Sequence, residues 1–177
     1  MESTPYAAGH FKYVVYRDAN WDWRTFNADE AVPAAEKTGG MIDVMSSDIS
    51  AFVKRNGKLV MYHGWEDQNI VPLASVNWLK GAEGKLGGPE KASQSVRLFM
   101  VPGMEHCRGG DGPNKFDMVS ALEQWVEKGQ APKQVIASRI DNGKTVRTRP
   151  LCPYPQLAHY KGTGSIEEAA NFECKAP

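Results

Sequence analysis

Two apolar runs, KLVMYHG (Lys58 to Gly64) and SVRLFMVPG (Ser95 to Gly103), constrain the fold of this chain more than anything else in it. Each is short, rich in aliphatic and aromatic residues, and ends in glycine, as buried strands do. Between them PLASVNWLK (Pro72 to Lys80) has helical spacing, with Leu73, Val76 and Leu79 facing inward. GAEGKLGGPEKAS then reads as a glycine-rich connection. A strand, a helix and a second strand in that order require a parallel pair joined by a right-handed crossover, which places the chain in the α/β class.

The flanking segments fill in around that unit. FKYVVY (Phe11 to Tyr16) reads as a strand, DANWDWRTF as a loop with aromatic anchors, and Ala28 to Lys37 as a helix ended by Gly39 and Gly40. Ser47 or Asp48 is the expected cap of a helix carrying Ile49, Phe52 and Val53 on one face, closed by Asn56-Gly57. KFDMVSALEQWVEKG is the strongest helical pattern, with Phe116, Val119, Leu122, Trp125 and Val126 at helical spacing and Gly129 at its end. PKQVIASRI and TVRTRPL, joined by Asp141-Asn142-Gly143-Lys144, form a hairpin because Asn-Gly suits a tight primed turn.

Composition narrows the function classes. At 177 residues with 41% apolar content the chain can bury a core of its own, and one globular unit is expected. Lysine plus arginine balances aspartate plus glutamate at 21 each, so the charge pattern favours neither nucleic acid nor an anionic membrane. No run approaches the ~18 apolar residues that a membrane span needs, and Met1 to His10 lacks the pattern of a signal peptide. The three cysteines, Cys107, Cys152 and Cys174, have neither zinc-ligand nor C-x-x-C spacing, so no metal or other cofactor is expected. The loop Gly109 to Pro113, with Asp111, has neither Walker nor EF-hand spacing.

The chemistry concentrates after the two strands. Asp67 follows the first and His106 the second, and loops at the carboxyl ends of neighbouring parallel strands are where an acid can orient a histidine base. Spacing alone leaves two readings open: an acid–base pair, or a turn-capping aspartate and a hydrogen-bonded loop histidine. His63 is either a substrate contact or a structural histidine, while His10 and His159 have no companions. Trp65 and Ile70 flank the acid as candidate walls of a substrate pocket. Trp21, Trp23, Trp78 and Trp125 read as packing residues.

KLVMYHGWEDQNIVP, VRLFMVPGMEHCRGGDGPNKFDMVSALEQWVEKGQAP and RTRPLCPYPQLAHYKGTGSIEEAANFEC, together with NWDWRTF, resemble the C-terminal part of the tannase and feruloyl esterase family. The resemblance implies a partial α/β-hydrolase fold, with residues 1–45 the end of a lid domain and its connection and 46–177 the C-terminal part of the hydrolase domain. It implies a serine-type hydrolase of aromatic esters (feruloyl, galloyl or terephthalate monoesters), secreted or periplasmic, with Asp67 as acid and His106 as base. Cys152 and Cys174 are similar to the pair that closes the family's C-terminal tail, with two buried thiols as the alternative. Cys107 is similar to half of a bridge whose other half neighbours the nucleophilic serine.

No G-x-S-x-G serine precedes Asp67 in these residues, and helix capping accounts for Ser46 and Ser47. The expectation is that the serine, the oxyanion hole and most of the lid lie upstream of residue 1. The isolated chain should then be weakly active or inactive: a folded fragment, a partner of a nucleophile-bearing segment, or a homodimer formed through an open sheet edge near Leu59 to His63.

Overall fold

The computed structural model describes residues 5–39, 44 and 46–177. Length and composition suggest one globular unit, but the chain forms two, Met1–Ser46 and Ser47–Pro177.

In the first unit, helix α1 (Pro5–Gly9) runs into a π-helical turn, His10–Val15, where a strand is expected. The i to i+5 period explains the difference. It brings Tyr16 N–H to Phe11 O at 2.8 Å and lets Phe11 and Tyr16 pack together on Trp21, with Phe26 edge-on to Phe11. Helix α2 (Ala28–Gly39) carries Pro33 inside it, and the Asn27 side chain accepts the Asp29 N–H at its start. Gly40, the other expected stop, lies outside the described residues.

The second unit is built on two parallel strands, β1 (Leu59–Gly64) and β2 (Val96–Val101), in register from Leu59 opposite Val96 to Gly64 opposite Val101. Before them α3 (Ser50–Lys54) starts at Ile49, which provides no side-chain cap, and Asp48 accepts the Ser50 N–H instead. The crossover is α4 (Pro72–Leu86) followed by α5 (Pro89–Ala92), so GAEGKL continues the helix rather than forming a loop. Gly81 is tolerated there because it is packed: a Cβ would sit 2.4 Å from Ser47 Oγ. The helix stops at Gly87, whose φ of 86° is the left-handed cap. Val76 and Leu79 face inward as expected, but Leu73 is 54% exposed and Ala82 is the third buried residue.

Strand β2 explains its own unbroken apolar sequence, because both of its faces are covered. Leu98 and Met100 pack with Val76 and Leu79 of α4, while Phe99 and Val101 pack with Met104, Met118, Val135 and Leu151. Strand β1 is less buried than its sequence suggests. Among the described residues it pairs only with β2, and Tyr62 is 45% exposed.

Helix α6 (Met118–Lys128) is capped by Asp117 and closed by left-handed Gly129. It buries Met118 and Trp125 rather than Val119 and Val126, which are exposed. Strands β3 (Val135–Asp141) and β4 (Lys144–Leu151) form the hairpin that Asn142-Gly143 predicts, with both turn residues at positive φ. A second hairpin, β5 (Leu157–Tyr160) and β6 (Phe172–Lys175), is tied to the end of β4 by a Cys152–Cys174 disulfide. Among the described residues no helix is long and apolar enough to cross a membrane.

Candidate active site

Because β1 and β2 run parallel and in register, the loops after Gly64 and Val101 leave the same end of the pair. Backbone bonds then join those loops. Trp65 N–H donates to Val101 O at 3.0 Å and Glu66 N–H to Met104 O at 3.1 Å. Gly64 makes this approach possible, since a Cβ there would lie 2.1 Å from Met104 O and 2.7 Å from Glu105 O. The histidine-bearing loop is equally tight. Gly112 N–H donates to Gly103 O at 2.8 Å, and a Cβ on Gly112 would meet Pro102 O at 2.0 Å.

This joinery brings together the two residues that spacing singles out. His106 Nδ1 is 2.8 Å from Asp67 Oδ2, with the Asp67 side chain 4% exposed and the imidazole 44% exposed. The carboxylate has every acceptor direction in use. Oδ1 takes the backbone N–H groups of Asn69 at 2.8 Å and Ile70 at 2.9 Å, and Oδ2 takes His106 together with His63 Nε2 at 3.0 Å. Burial alone raises the pKa of this carboxyl. The Ile70 N–H, the His106 ring and the Asn69 N–H outweigh it and hold Asp67 well below the usual carboxylate range.

Four donors aimed at an ionised carboxylate fix the imidazole tautomer. Nδ1 of His106 must carry the proton, which leaves Nε2 unprotonated in the neutral ring. Among the described residues nothing is hydrogen-bonded to that nitrogen. An orienting carboxylate behind a histidine with its far nitrogen free is the arrangement a general base requires.

His106 opens on a cleft of about 160 Å³ whose wall includes Tyr62, Ile70, Met104 and Cys107. The Tyr62 ring is braced edge-on by Phe116, with centroids 5.1 Å apart. Ile70, a candidate wall residue in the sequence, lines this cleft. Trp65 instead lines a neighbouring cavity of about 70 Å³ with Met100, Tyr154 and Leu157. Cys107 is an exposed free thiol at a φ of 46°, a left-handed conformation that favours glycine and turns the chain directly after His106. His63, for which the sequence allows either a substrate contact or a structural role, is hydrogen-bonded to Asp67 Oδ2 at 3.0 Å. Its signal is the four-residue spacing to Asp67 across the strand end. Among the described residues no group of three His, Cys, Asp or Glu is placed to hold a metal ion.

Comparison with known proteins places the chain among esterases. The chain is 45% identical over 135 residues to the mono(2-hydroxyethyl) terephthalate hydrolase of Piscinibacter sakaiensis, covering 75% of this chain and 22% of that one. It is 34% identical to a probable feruloyl esterase B-1 of Aspergillus terreus, covering 97% and 35% respectively. An esterase structure from Aspergillus oryzae superposes with a TM-score of 0.85 at 31% identity over 96% of this chain and 37% of that one. The chain thus spans roughly a fifth to about a third of the length of these curated relatives. The family model described as tannase and feruloyl esterase matches residues 4–175, nearly the whole sequence, and the chain belongs to that family.

Proposed function

We propose that this chain carries the acid and base of a serine-type carboxylic-ester hydrolase acting on aromatic esters, within a partial α/β-hydrolase fold. One observation carries the reading: Asp67, buried and ionised, holds His106 by Nδ1 and leaves Nε2 free at the cleft. In the reaction, Nε2 takes the proton of the attacking hydroxyl as it adds to the ester carbonyl, then returns it to the leaving alkoxide, while Asp67 stabilises the imidazolium between the two steps. Tyr62, Ile70 and Met104 provide the apolar wall for the aromatic acid, and Trp65 is assigned to the adjacent cavity. The attacking serine is assigned to a segment outside these residues. One finding supports that: the relatives are much longer than this chain. By family resemblance Cys107 is half of a bridge to that segment, and the Cys152–Cys174 disulfide fits an oxidising, secreted or periplasmic setting.

Without the nucleophile the pair can still activate water, an effect on the order of 10²–10⁴-fold. Acid release from feruloyl, galloyl and terephthalate monoesters by the purified chain tests this. Release above buffer that vanishes in His106→Ala supports the reading, and release above buffer that is equal in the two proteins overturns it.

Among the described residues β1 pairs on one side only and Tyr62 is exposed, which favours a second reading as a self-associating module without catalysis. Solution scattering decides that one: a monomer at high concentration counts against it.

A further inference from the structure

We propose that His63 is a positioning residue for Asp67, itself fixed by Ser75, so that His106 is oriented by a carboxylate shared between two imidazoles. This rests on reading Asp67 and His106 as the acid–base pair.

The geometry is specific. His63 Nε2 lies 3.0 Å from Asp67 Oδ2, the same oxygen that His106 uses, and His63 Nδ1 lies 2.7 Å from Ser75 Oγ. The His63 side chain is 10% exposed. A surface imidazole solvated on both nitrogens would impose nothing on its neighbour. Here both ring nitrogens are engaged inside the protein, and the ring cannot turn without breaking two bonds.

Proton bookkeeping gives a single neutral arrangement. Asp67 is ionised and accepts, so His63 Nε2 carries the hydrogen. In the neutral ring Nδ1 then accepts, with the Ser75 hydroxyl as the donor. A neutral His63 fixes the carboxylate without adding a positive charge beside it. The negative charge of Asp67 remains available to stabilise an imidazolium on His106. Oδ1 is anchored by backbone and Oδ2 by His63, so the second oxygen is aimed at His106 before any substrate arrives.

Ser75, His63 and Asp67 also have the connectivity of a nucleophile, base and acid. The cleft argues against that role, because its lining includes His63, Asp67 and His106 but not Ser75. Ser75 sits in the first turns of α4, and its hydroxyl is turned to His63.

The test reads the His106 ring by long-range ¹⁵N–¹H correlation, alongside ester hydrolysis and thermal melting, in wild type, His63→Leu, His63→Gln and Ser75→Ala. Loss of one hydrogen bond to a charged group should lower the Nδ1–H tautomer ratio of His106, and the hydrolysis rate, by about 10- to 100-fold in His63→Leu. His63→Gln should recover most of both, because its amide N–H reaches the same oxygen. Ser75→Ala should move the tautomer ratio in the same direction by less, and this half-buried hydroxyl deletion keeps the test alive if His63→Leu fails to fold. An unchanged tautomer ratio in His63→Leu, or a Gln variant no better than Leu, overturns the proposal. So does abolished hydrolysis in Ser75→Ala with the His106 ring unmoved, which would make Ser75 the nucleophile. Hydrolysis that survives His106→Ala would overturn the functional reading alone, since the tautomer measurement needs no turnover.

Discussion

Removing the Cys152–Cys174 cross-link should cost about 3.4 kcal/mol, and the structure says where that loss falls. The two cysteines are 22 residues apart in sequence. In the chain-entropy model a loop of that size restricts the unfolded chain by about 11 cal/mol/K, or ~3.4 kcal/mol at 25 °C. For a protein of this length that corresponds to a fall in melting temperature of about 7–14 °C. The β5–β6 hairpin has no fully buried residue and relies on side contacts: Arg149 over the Phe172 ring, Arg147 paired with Glu167, and Thr148 N–H on Glu167 O. Opening the bridge should therefore release the hairpin first. The Asp67–His106 pair, tied to β1 and β2, should stay formed. Urea unfolding of the oxidised and reduced protein, in a Cys107→Ala background that prevents thiol exchange, measures the energy. Hydrogen exchange locates it, with protection lost over residues 157–175 and kept over β2. A difference below about 1 kcal/mol, or uniform loss of protection, would refute this account of the bridge.

Other expectations can be checked on the same protein. Gly64→Ala should destabilise by roughly 1–3 kcal/mol and displace the His106 loop, because its Cβ meets backbone oxygen that cannot rotate away. Urea denaturation and the His106 ring signals report both effects. Phe99→Ala, at a fully buried position, should cost about 3–5 kcal/mol, whereas Leu73→Ala should stay within about 0.5 kcal/mol despite the helical pattern that suggests burial. Asp67 links stability to pH. Its folded pKa is depressed, so its contribution is complete above the unfolded value of about 3.9 and is lost as pH falls below it toward the folded value. The stability difference between wild type and Asp67→Asn should shrink between pH 5 and the most acidic pH at which the protein stays folded; a constant difference would contradict the linkage.

Much of the second unit is legible in sequence because its signals are local. The Asn142-Gly143 turn, the Gly129 stop and the apolar run of β2 each act through their own backbone preference or through burial on both faces. What is not legible depends on partners distant in sequence. Gly81 looks like a helix breaker until Ser47 is seen against it, and Val119 looks buried until Met118 is seen taking the core side of α6. FKYVVY has strand propensity, yet Phe11 and Tyr16 meet through a π-helical period that no strand pattern anticipates. In the site, strand order places Asp67 and His106 on neighbouring loops and leaves their pairing open; the 2.8 Å contact between them is seen only in the fold. The role of His63 requires knowing that the start of α4 returns Ser75 to the end of β1.

The chemistry of the site depends on Asp67 fixing His106 with Nδ1 protonated and Nε2 free to take a proton. The ring nitrogens of His106 in the wild-type chain, observed by long-range ¹⁵N–¹H correlation at a pH where the imidazole is neutral, test it most directly. A proton on Nδ1 and an unprotonated Nε2 are expected, reversed in Asp67→Asn, where the amide group faces the ring. A proton on Nε2 in the wild type, or a ring exchanging freely between tautomers, would contradict it.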